Sequence, residues 1–126
     1  MFKKIAFTMY PVTDVARARA FYEDTLGLEL GNHSQHGANA ETHWIEYDLP
    51  GGGCLALTNV VPDKPAADAG GTVAFEVEDL DELMADLRAK GVEFRSDVIH
   101  SPVCRMAVCV DSEGNAILLH QLKSTT

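Results

Sequence analysis

The chain has 126 residues, 46% of them hydrophobic, and a formal net charge of -9. That length suits one compact domain with a core rather than two independent ones, and the acidic balance excludes the basic footprint needed to bind nucleic acid or an anionic membrane surface. No apolar run approaches a membrane span, and the segment around Lys3 and Lys4 lacks the apolar stretch of a signal peptide, so the expected location is cytoplasmic. Ile5 to Val12 is β-rich and stops at Pro11 and Thr13-Asp14, which predicts a strand ending in a turn. Asp14 is placed as an N-cap, and Val15, Ala18, Phe21, Tyr22 and Leu26 recur at helical spacing up to the stop at Gly27.

Leu28 to Leu30 begins a second expected strand, and Gly31 to Glu41, which holds His33 and His36, has the composition of a loop, with His43 beside it. Strands are expected over His43 to Leu49 and Cys54 to Asn59, joined by Pro50-Gly51-Gly52-Gly53. Val60 to Gly71 reads as a connecting loop. The order then recurs: a strand over Thr72 to Val77, a helix capped by Asp79 with Leu80, Leu83, Met84 and Leu87 on one face, a stop at Gly91 and a strand over Val92 to Phe94. A last hairpin pairs Cys104 to Val110 with Ala116 to Leu122 across Asp111 to Asn115. Asp14 falls on Asp79, and Gly27 falls near Gly91 with one residue of slippage. A repeat of roughly 60 residues predicts two copies of one supersecondary module, module 1 over about 1–60 and module 2 over about 72–126 with a linker at 61–71, facing each other across a cleft within a single domain. Cys54, Cys104 and Cys109 form no Cys-x-x-Cys pair and are expected as reduced, mostly buried thiols.

Strand-helix-strand-strand-strand twice, with Phe21-Tyr22 leading to Leu26-Gly27-Leu28, Val77-Glu78-Asp79-Leu80 leading to Gly91-Val92, and the closing Asp111-Ser112-Glu113-Gly114-Asn115, resembles the vicinal oxygen chelate superfamily of glyoxalase, bleomycin-resistance and extradiol-dioxygenase proteins. The resemblance covers Ile5 to Leu122. It implies an α+β fold of two tandem βαβββ modules whose curled mixed sheets surround a cavity, commonly completed by a second copy in a homodimer. It also implies four inward-facing metal-ligand positions, which fall here on Phe7, Ala56, Thr72 and Leu118. Phe, Ala and Leu offer no donor and a neutral Thr hydroxyl is a poor one, so the expectation is no metal and no cofactor. Cys54, Glu76 and His120 share strand faces with those positions and are the alternative ligands if a metal site has relocated.

A three-residue turn at Gly51 to Gly53 would set Glu46 opposite Thr58 and Asp48 opposite Ala56, with Trp44, Glu46 and Asp48 facing inward; a two-residue turn would turn Ile45, Tyr47 and Leu49 inward instead. With the first register, Trp44 and Glu46 make an aromatic platform beside a carboxylate, walled by Phe7 and Met9 and suited to a flat or cationic ligand; a core aromatic is the plainer reading of Trp44. Cys104 stands beside Arg105 as a weak nucleophile candidate, yet neighbouring strand residues point oppositely, which favours an inert thiol. His120 is a general-base candidate if Glu46 or Glu76 orients its ring. The expected ligand-binding set is Phe7, Met9, Trp44, Glu46, Ala56, Thr72, Leu118 and His120. The leading expectation is a metal-independent small-molecule-binding protein that performs no chemistry. Its alternative is a glyoxalase-like lyase, isomerase or dioxygenase with relocated metal ligands or metal-free catalysis by His120.

Overall fold

The structure is a computed structural model that describes residues 1, 3–60 and 64–123. It divides into two compact units, Met1–Pro65 and Ala66–Thr126. The division falls inside the expected linker, of which Val61, Pro62 and Asp63 lie outside the described residues.

The first unit contains β1 (Thr8–Pro11), α1 (Val15–Arg19) continuing as a π-helical turn (Ala20–Thr25), β2 (Asn32–His36), β3 (Thr42–Asp48) and β4 (Cys54–Thr58). Its sheet runs β1-β4-β3-β2, with β1 parallel to β4 and the other pairs antiparallel. A parallel pair cannot be joined by a tight turn, and the helix between β1 and β2 supplies part of the crossover. Asp14 starts that helix by accepting the Arg17 N–H at 3.0 Å, satisfying a donor that has no partner in the first turn. The π turn is marked by the Leu26 N–H reaching back five residues to the Phe21 carbonyl at 2.9 Å. Gly27, at φ 78°, then turns the chain away in a conformation that a side chain disfavours.

One face of the sheet is covered by this helix. Ala18, Phe21 and Tyr22 are buried together with Tyr10, Ile45, Tyr47, Leu55 and Leu57, and Tyr22 stacks on Tyr47 at 6.0 Å. Each fully buried side chain of this size contributes roughly 1.5–3 kcal/mol. The expected strand at Leu28 to Leu30 is absent, and the expected loop holds β2, so His33 and His36 lie in a strand. The strand was hidden because Asn32-His33-Ser34-Gln35-His36 has no apolar alternation. It is an edge strand held by its pairing to β3, and polar residues on an edge discourage further pairing.

In the β3–β4 hairpin, Asp48 pairs with Cys54, Glu46 with Ala56 and Trp44 with Thr58. Leu49 to Gly53 lie outside the ladder, so the register is two residues away from that of a three-residue turn. Because side chains alternate with period two, Trp44, Glu46 and Asp48 still share a face with Ala56.

The second unit holds β5 (Val73–Glu76), α2 (Leu80–Ala89), β6 (Ile99–His100), β7 (Cys104–Val110) and β8 (Ala116–Leu122). Its order, β5-β8-β7-β6 with β5 parallel to β8, repeats that of the first sheet. Asp79 caps α2 by accepting the Glu82 N–H at 3.0 Å, and the helix buries Leu80, Met84 and Leu87. The expected strand over Val92 to Phe94 is reduced to a single bridge, Phe94 to Cys109, and the short edge strand comes later, at β6. The Arg88 guanidinium covers the Phe94 ring at 4.9 Å. Among the described residues no helix is long and apolar enough to cross a membrane.

The β7–β8 turn is organised by the buried Asp111. Its Oδ1 accepts the Glu113 and Asn115 N–H groups, both at 2.8 Å, and its Oδ2 accepts the Asn115 amide at 3.1 Å. Asn115 in turn accepts the Ala66 N–H at 3.2 Å. Asp111→Ala leaves these donors without a partner and is expected to cost roughly 2–4 kcal/mol in chemical denaturation; a loss below about 1 kcal/mol would show that the turn holds without it.

Candidate functional site

The sheet face of the first unit opposite its helix carries Met9, Ala56, Glu46 and Asn32 in one register row, with Pro11, Thr58, Trp44 and Ser34 in the next. Strands β1 and β3 flank β4 and so stand about 9.6 Å apart, twice the strand spacing. Side chains from the two meet only if they are large and the residue between them is small. Phe7, one position before β1, meets Trp44 edge to face with ring centroids 5.1 Å apart, and the buried Ala56 puts only a methyl group on the intervening strand. The Trp44 indole N–H donates to Glu46 Oε1 at 2.8 Å, which fixes the indole along the strand. Phe7 and Met9 remain 44% and 37% exposed, so this apolar surface is not consumed by the core. The face thus grades from apolar at β1 to polar at β2, where Asn32 donates to Ser34 at 2.9 Å. Cys54 lies on the same face, and burial, followed by Asp48 and Glu46, pushes its thiol pKa up, so it stays protonated at neutral pH.

The helix-facing side of this sheet holds a polar chain that the sequence reading missed. Tyr47 donates to Glu23 at 2.9 Å, Arg19 binds both Glu23 oxygens at 2.6 and 3.0 Å, and Arg19 Nη1 lies 3.1 Å from His33 Nδ1. His33 Nε2 lies 2.7 Å from His43 Nδ1. A guanidinium only donates, so His33 Nδ1 is bare, its proton sits on Nε2, and His43 Nδ1 accepts it. The His33 ring is therefore neutral. Burial and then the Arg19 charge push the His33 pKa down, while the Arg19 hydrogen bond holds the Glu23 carboxyl below its usual range. Burial, then Glu23, pushes the Tyr47 hydroxyl strongly up. The π turn contributes Glu23 itself, and such turns are frequent at functional sites.

In the second unit, Leu118 faces the same side as Ala74, Glu76, His120, Met106 and Val108. Thr72 is exposed, one residue before β5. His120 Nδ1 lies 2.5 Å from Glu76 Oε1, so Glu76 is a carboxylate that orients its ring. Cys104 is buried with its sulfur 3.0 Å from the Ser101 hydroxyl. Arg105 points to the opposite face and pairs with Asp81 at 2.5 Å. The Arg105 guanidinium therefore does not lie over the thiol.

Residues 4–119 match the Glyoxalase/Bleomycin resistance protein/Dioxygenase superfamily. The chain belongs to that superfamily. Among solved structures it is similar to TnmS3, an antibiotic binding protein from Streptomyces sp. CB03234, at 27% identity and a TM-score of 0.79 over 97% of this chain and 98% of that one. A glyoxalase/bleomycin resistance protein from the same organism is similar at 27% identity and a TM-score of 0.75, covering 91% and 97% of the two chains. A glyoxalase family protein from Bacillus cereus, at 19% identity and a TM-score of 0.79 over 98% and 97%, shares the fold. No curated protein matches the sequence.

The superfamily resemblance assigns metal ligands to Phe7, Ala56, Thr72 and Leu118, and those side chains do not fit a divalent cation. Among the described residues no three His, Cys, Asp or Glu side chains gather in an arrangement that holds one. Of the alternative donors, Cys54 lies in the first unit, while Glu76 and His120 are already paired with each other in the second.

Two outcomes follow from this superfamily member's first sheet. Ala56→Leu forces the Phe7 and Trp44 rings apart, with an expected red shift of tryptophan emission, loss of near-ultraviolet dichroism and a stability change of about 1–3 kcal/mol; unchanged spectra would mean that the rings do not meet over Ala56. Because folded His33 resists protonation, the unfolded chain takes up that proton first, and stability is complete above about pH 6.5 and declines below it. Glu23, with its pKa lowered, adds a loss only as the pH falls below about 4.5. His33→Gln is expected to flatten denaturation midpoints between about pH 6.5 and 5; an unaltered slope would assign it to other groups.

Proposed function

We propose that this protein binds a flat organic molecule on the open face of its first sheet, through Phe7, Met9, Trp44 and Glu46 above Ala56, without a resident metal and without transforming it. The edge-to-face contact of Phe7 and Trp44 carries this reading, since it supports an aromatic surface that includes Phe7, a residue the superfamily resemblance expects as a metal ligand. Among the described residues Glu46 Oε2 has no hydrogen-bond partner and is available to a donor or cation on the ligand. Two relatives at 27% identity, one of them named as an antibiotic binding protein, support sequestration as the activity and an antibiotic-like compound as the ligand class. Exposed Ile5, Phe7 and Met9 at the β1 edge support a second copy of the chain as partner, read by sedimentation.

The chain has a single tryptophan, so its emission reports this face alone. Titration with a panel of planar aromatic dyes, cationic and neutral, is expected to quench Trp44 saturably at one dye per chain, with and without a chelator. Glu46→Gln is expected to weaken the cationic members about tenfold and leave the neutral ones within about twofold. Quenching abolished by chelation, together with stoichiometric metal in the untreated protein, would replace this reading with a metal-dependent one. No saturable quenching by any dye would sink it.

A further inference from the structure

The open face of the second sheet carries an oriented histidine for which the Trp44 site has no use. Glu76 on β5, His120 on β8 and Met106 on β7 stand side by side in register. Glu76 Oε1 lies 2.5 Å from His120 Nδ1, and its Oε2 accepts the Leu122 N–H at 2.9 Å. With both oxygens engaged, the carboxylate cannot turn away from the ring. The Leu122 N–H first, and His120 second, hold the Glu76 carboxyl below its usual range, so it is ionised at neutral pH. An ionised carboxylate only accepts, so the proton between the two groups belongs to His120 Nδ1.

The lone pair of the neutral ring is then on Nε2, which has no protein partner among the described residues, and the His120 side chain is 28% exposed. Around it, Leu118, Met106 and Val108 are half-buried on the same face. The result is an apolar floor with one proton acceptor. While His120 is neutral, the pair with Glu76 carries one negative charge, which repels a carboxylate or phosphate. A neutral hydroxyl acidic enough to protonate imidazole leaves an imidazolium between two anions and is favoured by both contacts.

We propose that His120 Nε2 docks the acidic hydroxyl of an aromatic ligand, a phenol or its enol equivalent, with the ring resting on Leu118, Met106 and Val108. The proton passes from the hydroxyl oxygen to Nε2, and the O–H electron pair stays on oxygen as the phenolate. Glu76 is a positioning residue that fixes the tautomer and balances the imidazolium. The proposal does not depend on the Trp44 reading.

The test uses the full chain and 4-nitrophenol, colourless as the phenol and yellow as the phenolate. Absorbance titrations across neutral pH are expected to show the bound probe ionising at lower pH than the free probe. His120→Leu, which keeps the apolar bulk, and Glu76→Gln, which keeps the shape of the carboxylate, are each expected to bind about tenfold more weakly and to lose the shift, the loss of one charge-assisted hydrogen bond. A merely structural ion pair would alter thermal stability without moving the probe spectrum. Absence of the phenolate shift in the unmodified protein, or its persistence in His120→Leu, overturns the proposal. The readout is probe colour and not Trp44 emission, so failure here and failure of the first-sheet reading are distinct results.

Discussion

Strands separated by one neighbour are about 9.6 Å apart, and this spacing governs what the first sheet can present. Phe7 and Trp44 bridge it across β4, whose Ala56 adds only a methyl group to that face. A carboxylate or imidazole at that position would fill the gap and push the rings apart. The missing donor at Ala56 and the aromatic pair are therefore two sides of one steric fact. The indole's bond to Glu46 depends on the same arrangement, because it needs the ring laid along the strand.

The two sheets share one strand order and divide their faces by the same alternation, yet they carry different chemistry. In each, the face under the helix is a packed core and the opposite face keeps solvent contact. The first sets the Phe7 ring across β4 from Trp44, whose indole bonds to Glu46 on its own strand; the second holds a histidine and a glutamate side by side over aliphatic neighbours. Beneath the first sheet, the chain from Tyr47 through Glu23, Arg19 and His33 to His43 is continuous, so removing any member leaves its neighbours with unmet bonds. Such a chain ties the edge strand β2 to the helix by polar contacts where apolar side chains are absent.

Much of this was legible in the residues. Both helix caps, both stop glycines and the final hairpin follow from short-range rules that depend on neighbours in sequence, and Cys104–Val110 and Ala116–Leu122 are the strands as expected. The residues left open whether Trp44 and Glu46 or Ile45 and Tyr47 share a face with Ala56, and the register, two residues away from that of a three-residue turn and so of the same parity, selects Trp44 and Glu46. What escaped was set by tertiary pairing. Strand β2 has no apolar period to betray it, and Val92 to Phe94 has strand propensity without a partner long enough to use it. The pairing of Glu76 with His120 depends on the parallel register of β5 and β8, which no local pattern encodes.

The π-helical turn at Ala20–Thr25 marks where the two units differ in length. Thirteen positions separate Asp14 from Gly27 and twelve separate Asp79 from Gly91, so the first copy carries one residue more between equivalent landmarks. A π turn is what a helix makes when it absorbs a single extra residue without shifting its flanking segments. The wider turn accommodates that extra residue, and Glu23, which anchors the polar chain to Arg19 and Tyr47, stands inside it. A difference of one residue in length thus coincides with a helical feature that the second unit's α-helix lacks.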